Sequence, residues 1–180
     1  LAVSPEQIVV GAGAEYLYLL LAQLLGRDTV FAVEDPGYPK IRQVYEKSGV
    51  RCVPLALDGE GMNPAALRAS GARAAHLSPA HQYPTGLTTP IRRRQELLRW
   101  AGEDRTVIED DYDSEYRYSG RPLPALQGLD PHGRVLYTGS EMGLPGAHDR
   151  RIIERVLAPA TTVAGGPAPE SAAFEIASAR

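Results

Sequence analysis

The stretch Thr106-Val107-Ile108-Glu109-Asp110-Asp111-Tyr112-Asp113-Ser114-Glu115-Tyr116 sets an apolar run directly against an acidic, aromatic turn. Thr106-Val107-Ile108 predicts a short buried strand, and strands of open α/β sheets deliver functional groups at their carboxyl ends. A carboxylate at such an edge, with a phenol two residues on, suits a flat ligand with a protonated ring nitrogen beside a ring hydroxyl. Asp110 would hold the nitrogen and Tyr112 the oxygen. Pyridoxal phosphate makes that demand, because its pyridinium nitrogen needs an anionic partner to act as an electron sink. Taken alone, however, the run reads better as a solvated acidic loop. A calcium loop fits poorly, since no glycine occupies the sixth position from Asp111 and no glutamate follows at EF-hand spacing. No metal site is expected.

Outward from this stretch, strand-like and helix-like segments alternate. Gln7-Ile8-Val9-Val10 leads through Gly11-Ala12-Gly13 into an apolar helix over 14–25, and Thr29 to Val33 predicts the next strand. After Asp35-Pro36-Gly37-Tyr38-Pro39, the spacing of Ile41, Val44 and Tyr45 predicts a helix from Lys40 to Lys47. Arg51 to Leu57 is a third strand, and Asn63 with Pro64 behind it caps a short helix. Ala74 to Leu77 makes a fourth strand, Thr89-Pro90 opens a helix from Ile91 to Ala101, and Arg134 to Tyr137 follows as the strand after 106–110. This order predicts the α/β class, with a mostly parallel sheet, flanking helices and right-handed crossovers. Beyond Glu141 the pattern changes. Ile152, Ile153, Val156 and Leu157 predict one face of a short helix. The Ala/Gly/Pro-rich remainder has too little apolar surface to offset its ordering entropy and is expected to be loose.

Composition narrows the functional classes. The chain has 180 residues and a net charge of −3, with no electrostatic footprint for nucleic acid. Its one basic run, Arg92-Arg93-Arg94, falls in a predicted helix and reads as a solvated face. The single cysteine, Cys52, excludes a disulfide framework within the chain and fits a reducing, cytoplasmic setting. No apolar stretch is long enough for a membrane span, and no signal-peptide pattern is present.

Four loops fall at the predicted carboxyl ends of strands, the edge at which open α/β sheets bind ligands. Gly13 and Ala14 mark a helix start that could hold a phosphate, although most glycine turns are merely tight connections. Tyr38, behind a rigid turn, could stack on a flat ring or simply cover the turn. His81 and Gln82 lie between two prolines, where they could form a polar wall or serve as loop scaffolding. Asp110 and Tyr112 complete the set.

The motifs Gly11-Ala12-Gly13-Ala14-Glu15-Tyr16-Leu17, Glu34-Asp35-Pro36-Gly37-Tyr38, Ser78-Pro79-Ala80-His81-Gln82-Tyr83-Pro84-Thr85-Gly86, Arg94-Gln95-Glu96-Leu97-Leu98, 109–118 and Gly120-Arg121-Pro122-Leu123-Pro124-Ala125-Leu126-Gln127 carry a family resemblance. Over residues 4–140 the chain resembles the aminotransferase-like domain of MocR/PdxR-like regulators of the GntR class. That domain is itself related to class I/II aminotransferases of pyridoxal-phosphate fold type I. The resemblance implies an incomplete large domain of this fold, with pyridoxal 5'-phosphate as cofactor. It places Gly13 and Ala14 near the phosphate, Tyr38 on the pyridine ring, Asp110 on the ring nitrogen and Tyr112 on the ring oxygen. His81 and Gln82 lie nearby, and Lys40 is directed toward a ligand carboxylate. It further implies an amino acid or amine ligand, a homodimeric parent and DNA contact through a winged helix that has no counterpart here.

The resemblance stops at Ser140. Relatives continue Phe-Ser-Lys there, and that lysine forms the Schiff base; this chain continues Glu141-Met142-Gly143. Its only lysines are Lys40 and Lys47, neither at that position. Residues 141–180 are therefore expected to be a divergent tail, from a shifted reading frame or a truncated gene, with true divergence as the rival. A chain without that lysine should not transaminate. The alternatives are a fragment of an active class I/II aminotransferase and a remnant that binds nothing.

Overall fold

The computed structural model of the chain describes residues 3–113 and 123–139, together with the backbone of 152–155. In chain order the elements are β1 (Ile8–Gly11), α1 (Ala14–Leu25), β2 (Val30–Asp35), α2 (Pro39–Lys47), β3 (Arg51–Asp58), β4 (Gly61–Met62) and α3 (Pro64–Ala69). They continue with β5 (Ala74–Leu77), α4 (Ile91–Ala101), β6 (Thr106–Asp111), α5 (Leu126–Leu129), β7 (Val135–Gly139) and β8 (Ile152–Arg155). Six strands form one sheet in the order β4-β3-β2-β5-β6-β7, parallel throughout except for the short β4. The expected α/β class and mostly parallel sheet are thus present.

The strand pleat divides the core into two layers. Phe31 and Val33 of β2, Ala74 of β5, Ile108 of β6 and Leu136 of β7 meet Tyr18 and Leu21 of α1 and Ile41 and Tyr45 of α2. The alternate residues Ala32, Ala75, Val107 and Val135 face the other way, toward Leu67 of α3, Leu97 and Trp100 of α4 and Leu126 of α5. Successive strand side chains point to opposite faces, so each strand feeds both layers. Leu67, Leu97 and Phe31 are at most 1% exposed, and each such side chain contributes about 2 kcal/mol through burial.

Helix boundaries follow local chemistry. The Asn63 side chain accepts from the N–H groups of Ala65 and Ala66 at 2.8 and 3.4 Å, which caps α3 as its sequence suggests. The start of α4 differs from the expectation: Pro90 itself occupies the cap, while Thr89 is buried and its N–H donates to Pro79 O.

Three other expectations are corrected. The strand beginning near Gln7 does not join the main sheet; β1 pairs antiparallel with β8 in a separate two-stranded ribbon. Ile152 and Ile153 lie in that strand rather than on a helix, and two adjacent apolar residues cannot distinguish the two by periodicity. The run Arg92-Arg93-Arg94 is not a solvated face, because Arg93 is 7% exposed and Arg94 only 1%. Arg94 donates to Thr89 O, Pro124 O and Pro79 O at 2.7–3.0 Å and so ties two loops to α4. Ser140 and the junction after it lie outside the described residues, as do Ser114 to Pro122 and 156–180.

Candidate functional site

The pleat of β6 sorts the acidic block. Asp110 shares a face with Ile108 and points toward α1, whereas Glu109 follows Val107 toward α4 and α5. Glu109 there accepts from the N–H groups of Leu126 and Gln127, both at 2.9 Å, with Arg94 at 3.9 Å. Burial pushes its carboxyl above the usual range, opposed by those two N–H groups and the guanidinium. Asp111 accepts from the Tyr137 hydroxyl at 2.7 Å, and burial raises its carboxyl too. Two of the three consecutive carboxylates are therefore engaged in holding the fold.

Asp110 is the one that faces a cavity. It is 4% exposed, and its Oδ2 accepts from the Tyr18 hydroxyl at 2.6 Å and lies 3.4 Å from His76 Nε2. Its Oδ1 accepts from Thr138 Oγ1 at 3.2 Å, while His76 Nδ1 meets the Tyr45 hydroxyl at 2.7 Å. The cavity has a volume of about 320 Å³ and is lined by Ala14, Tyr18, Tyr38, Ser78, Tyr83, Asp110 and Tyr112. That size falls at the lower end for small-molecule sites, and a few polar groups on a mainly apolar wall are typical of them.

Two loops supply the aromatic wall. A Cβ on Gly37 would stand 2.5 Å from Glu34 O, so only glycine allows the turn that presents Tyr38. The Tyr38 ring is 43% exposed and meets Tyr83 edge to face, with centroids 5.7 Å apart. At the cavity's other end, Gly13 holds φ +110° at the cap of α1, a conformation that L side chains rarely adopt. No side chain caps this helix start, so its first-turn N–H groups and the macrodipole present positive potential beside Ala14.

The remaining predicted residues lie at the margin. His81 stacks on Tyr112 with centroids 6.0 Å apart and bonds Asp113 through Nδ1; it is not among the lining residues. Gln82 is 1% exposed and spends its amide within the loops. Its Nε2 donates to Glu34 and Pro36 O, and its Oε1 accepts from Thr85 Oγ1. Lys40 lies outside the lining and pairs with Glu15 at 3.6 Å on the surface. Among the described residues, no cluster of His, Cys, Asp and Glu is arranged to hold a metal, and no helix is long and apolar enough to cross a membrane.

Tyr18, His76, Thr138 and Glu34 escaped the sequence reading. Tyr18 follows Ala14 by four residues, which puts both on one helical face, so that signal was present. Glu34 accepts from Ser78 N–H and Gln82 Nε2 at 3.3 and 3.2 Å. Although the residue is only partly buried, burial of its carboxyl pushes it up to about 7, against the effect of those two donors.

No model of a known protein family matches the chain. It is 41% identical over 137 residues to the uncharacterized HTH-type transcriptional regulator YdeL of Bacillus subtilis. It is also 41% identical to the HTH-type pyridoxine biosynthesis transcriptional regulator PdxR of Corynebacterium glutamicum. Each match covers 76% of this chain and 30% of the relative, so the chain spans about a third of their length. Among solved structures, it resembles LysN, the α-aminoadipate aminotransferase of Thermus thermophilus, complexed with N-(5'-phosphopyridoxyl)-L-leucine. That likeness has a TM-score of 0.75 and 27% identity, and covers 86% of this chain and 42% of LysN. The chain is thus similar to a segment of HTH-type transcriptional regulators such as PdxR and MocR, and it has the fold of the pyridoxal-phosphate-dependent aminotransferases.

Proposed function

We propose that this segment binds pyridoxal 5'-phosphate without covalent attachment, as the cofactor-sensing part of a MocR-type transcriptional regulator, and does not itself transaminate. The observation that carries the reading is the buried Asp110 carboxylate, which faces the same cavity as Ala14, Tyr38 and Tyr112. The donor set fits the cofactor. An anion suits a protonated ring nitrogen, a phenol a ring oxygen, an aromatic wall a flat ring, and an uncapped helix start a phosphate. When bound, pyridoxal phosphate supplies an electron sink for amino-acid chemistry.

The residues divide the work. Asp110 holds the ring-nitrogen proton, Tyr112 orients the ring oxygen, Tyr38 covers the ring face, and Gly13 with Ala14 receives the phosphate. His81 supports Tyr112 by stacking, and Gln82 holds the loops that carry Tyr38 and Tyr83. Neither of the chain's lysines lines the cavity, which supports non-covalent binding. An amino acid or amine is the ligand class such a sensor would report on. Pairing of two copies and DNA contact through a winged helix are assigned to the whole regulator.

Equilibrium dialysis against pyridoxal phosphate, followed by borohydride and intact-mass measurement, tests this directly. Saturable binding with no mass increment is expected. A stable adduct, or turnover of an amino acid with 2-oxoglutarate, would refute the proposal.

A further inference from the structure

We propose that the Tyr18 and Thr138 hydroxyls are positioning groups that aim the Asp110 carboxylate at the ring nitrogen of the bound cofactor. The assignment deepens the proposed function and rests on it. Each hydroxyl takes a different oxygen: Tyr18 donates to Oδ2 at 2.6 Å and Thr138 to Oδ1 at 3.2 Å. A carboxylate held at both oxygens cannot rotate freely about its terminal bond, so its remaining lone pairs keep one direction. Both hydroxyl-bearing residues are at most 3% exposed, and solvent does not compete for these bonds.

Their origins in the fold add a second element. Tyr18 sits on α1 four residues after Ala14, and both line the cavity. One helix therefore offers its amide start toward one end of the ligand and a phenol toward the carboxylate that serves the other. Thr138 comes from β7, next to β6 and in register with Asp110. The carboxylate is clamped between a helix and a neighbouring strand, both fixed by the core rather than by loops.

The test uses the full chain and two ligands, pyridoxal phosphate and its 1-deaza analogue, in which a C–H replaces the ring nitrogen. Tyr18→Phe is expected to weaken pyridoxal phosphate about tenfold, the scale of one hydrogen bond to a charged group. Affinity for the deaza analogue should stay unchanged. Thr138→Val should show the same selectivity with a smaller loss, and Asp110→Asn a larger one; adding Tyr18→Phe to Asp110→Asn should do little more. Equal losses for both ligands in both single variants, or no loss for pyridoxal phosphate, would overturn the assignment while leaving the binding reading intact. Absence of pyridoxal phosphate binding by the unmodified chain would remove both. If Tyr18→Phe loses the far-UV signal of the folded chain, Thr138→Val alone decides.

Discussion

The two faces of β6 carry the same chemistry to opposite ends. On the α4/α5 face, Glu109 is fully engaged by two backbone N–H groups, with Arg94 beside it. On the α1/α2 face, Asp110 is held by hydroxyls yet still borders open space. Adjacent carboxylates of similar burial thus differ in surroundings, one enclosed by its own chain and one beside a cavity, and the difference follows the pleat. A carboxylate surrounded by its own chain is structural; one whose neighbours stop short of enclosing it is available to a ligand.

The sharpest way to break this contrast is Arg94→Ala. It strips the donor from three carbonyls, leaves Glu109 buried without a nearby cation and should destabilise the chain by about 4 kcal/mol. Chemical denaturation measures the loss. Asp110→Asn should do the reverse, weakening pyridoxal phosphate by about 2 kcal/mol, some thirtyfold, with little change in denaturation midpoint.

A pH series sharpens the comparison at Glu34, which joins the two aromatic loops. Its carboxyl is raised from 4.5 to about 7 by burial, so between those values the folded chain keeps a proton that the unfolded chain has released. That stabilising contribution is complete below pH 4.5 and is lost as pH rises through about 7. Glu34→Gln should flatten this part of the pH profile of the denaturation midpoint; an unchanged slope would show that Glu34 ionises normally. The smallest effect belongs to Asn63→Ala, which removes the α3 cap on the far side of the sheet. It should cost about 1 kcal/mol in denaturation and nothing in cofactor affinity.

Much of the architecture was legible in the residues. Alternating strands and helices gave the sheet its parallel order, and glycine-proline turns marked the loops at the edge that borders the cavity. The arginine run was misjudged because helical spacing shows that neighbours occupy different faces but not which face meets loops carrying carbonyls. The 152–155 segment was misjudged because its partner, β1, lies more than a hundred residues upstream. Gln82 and Lys40 illustrate a further limit: a polar residue near the cavity can be occupied by its own loop or by a surface ion pair.

From sequence alone came the class of fold and the candidate edge, because period, turn chemistry and residue type are local properties, while the cofactor followed from the family resemblance. Tertiary structure alone decided what the other two carboxylates of the run hold, which hydroxyls bond Asp110 and which arginines are buried. Those outcomes depend on contacts between segments distant in the chain, where register, pleat and excluded water determine what each charge meets.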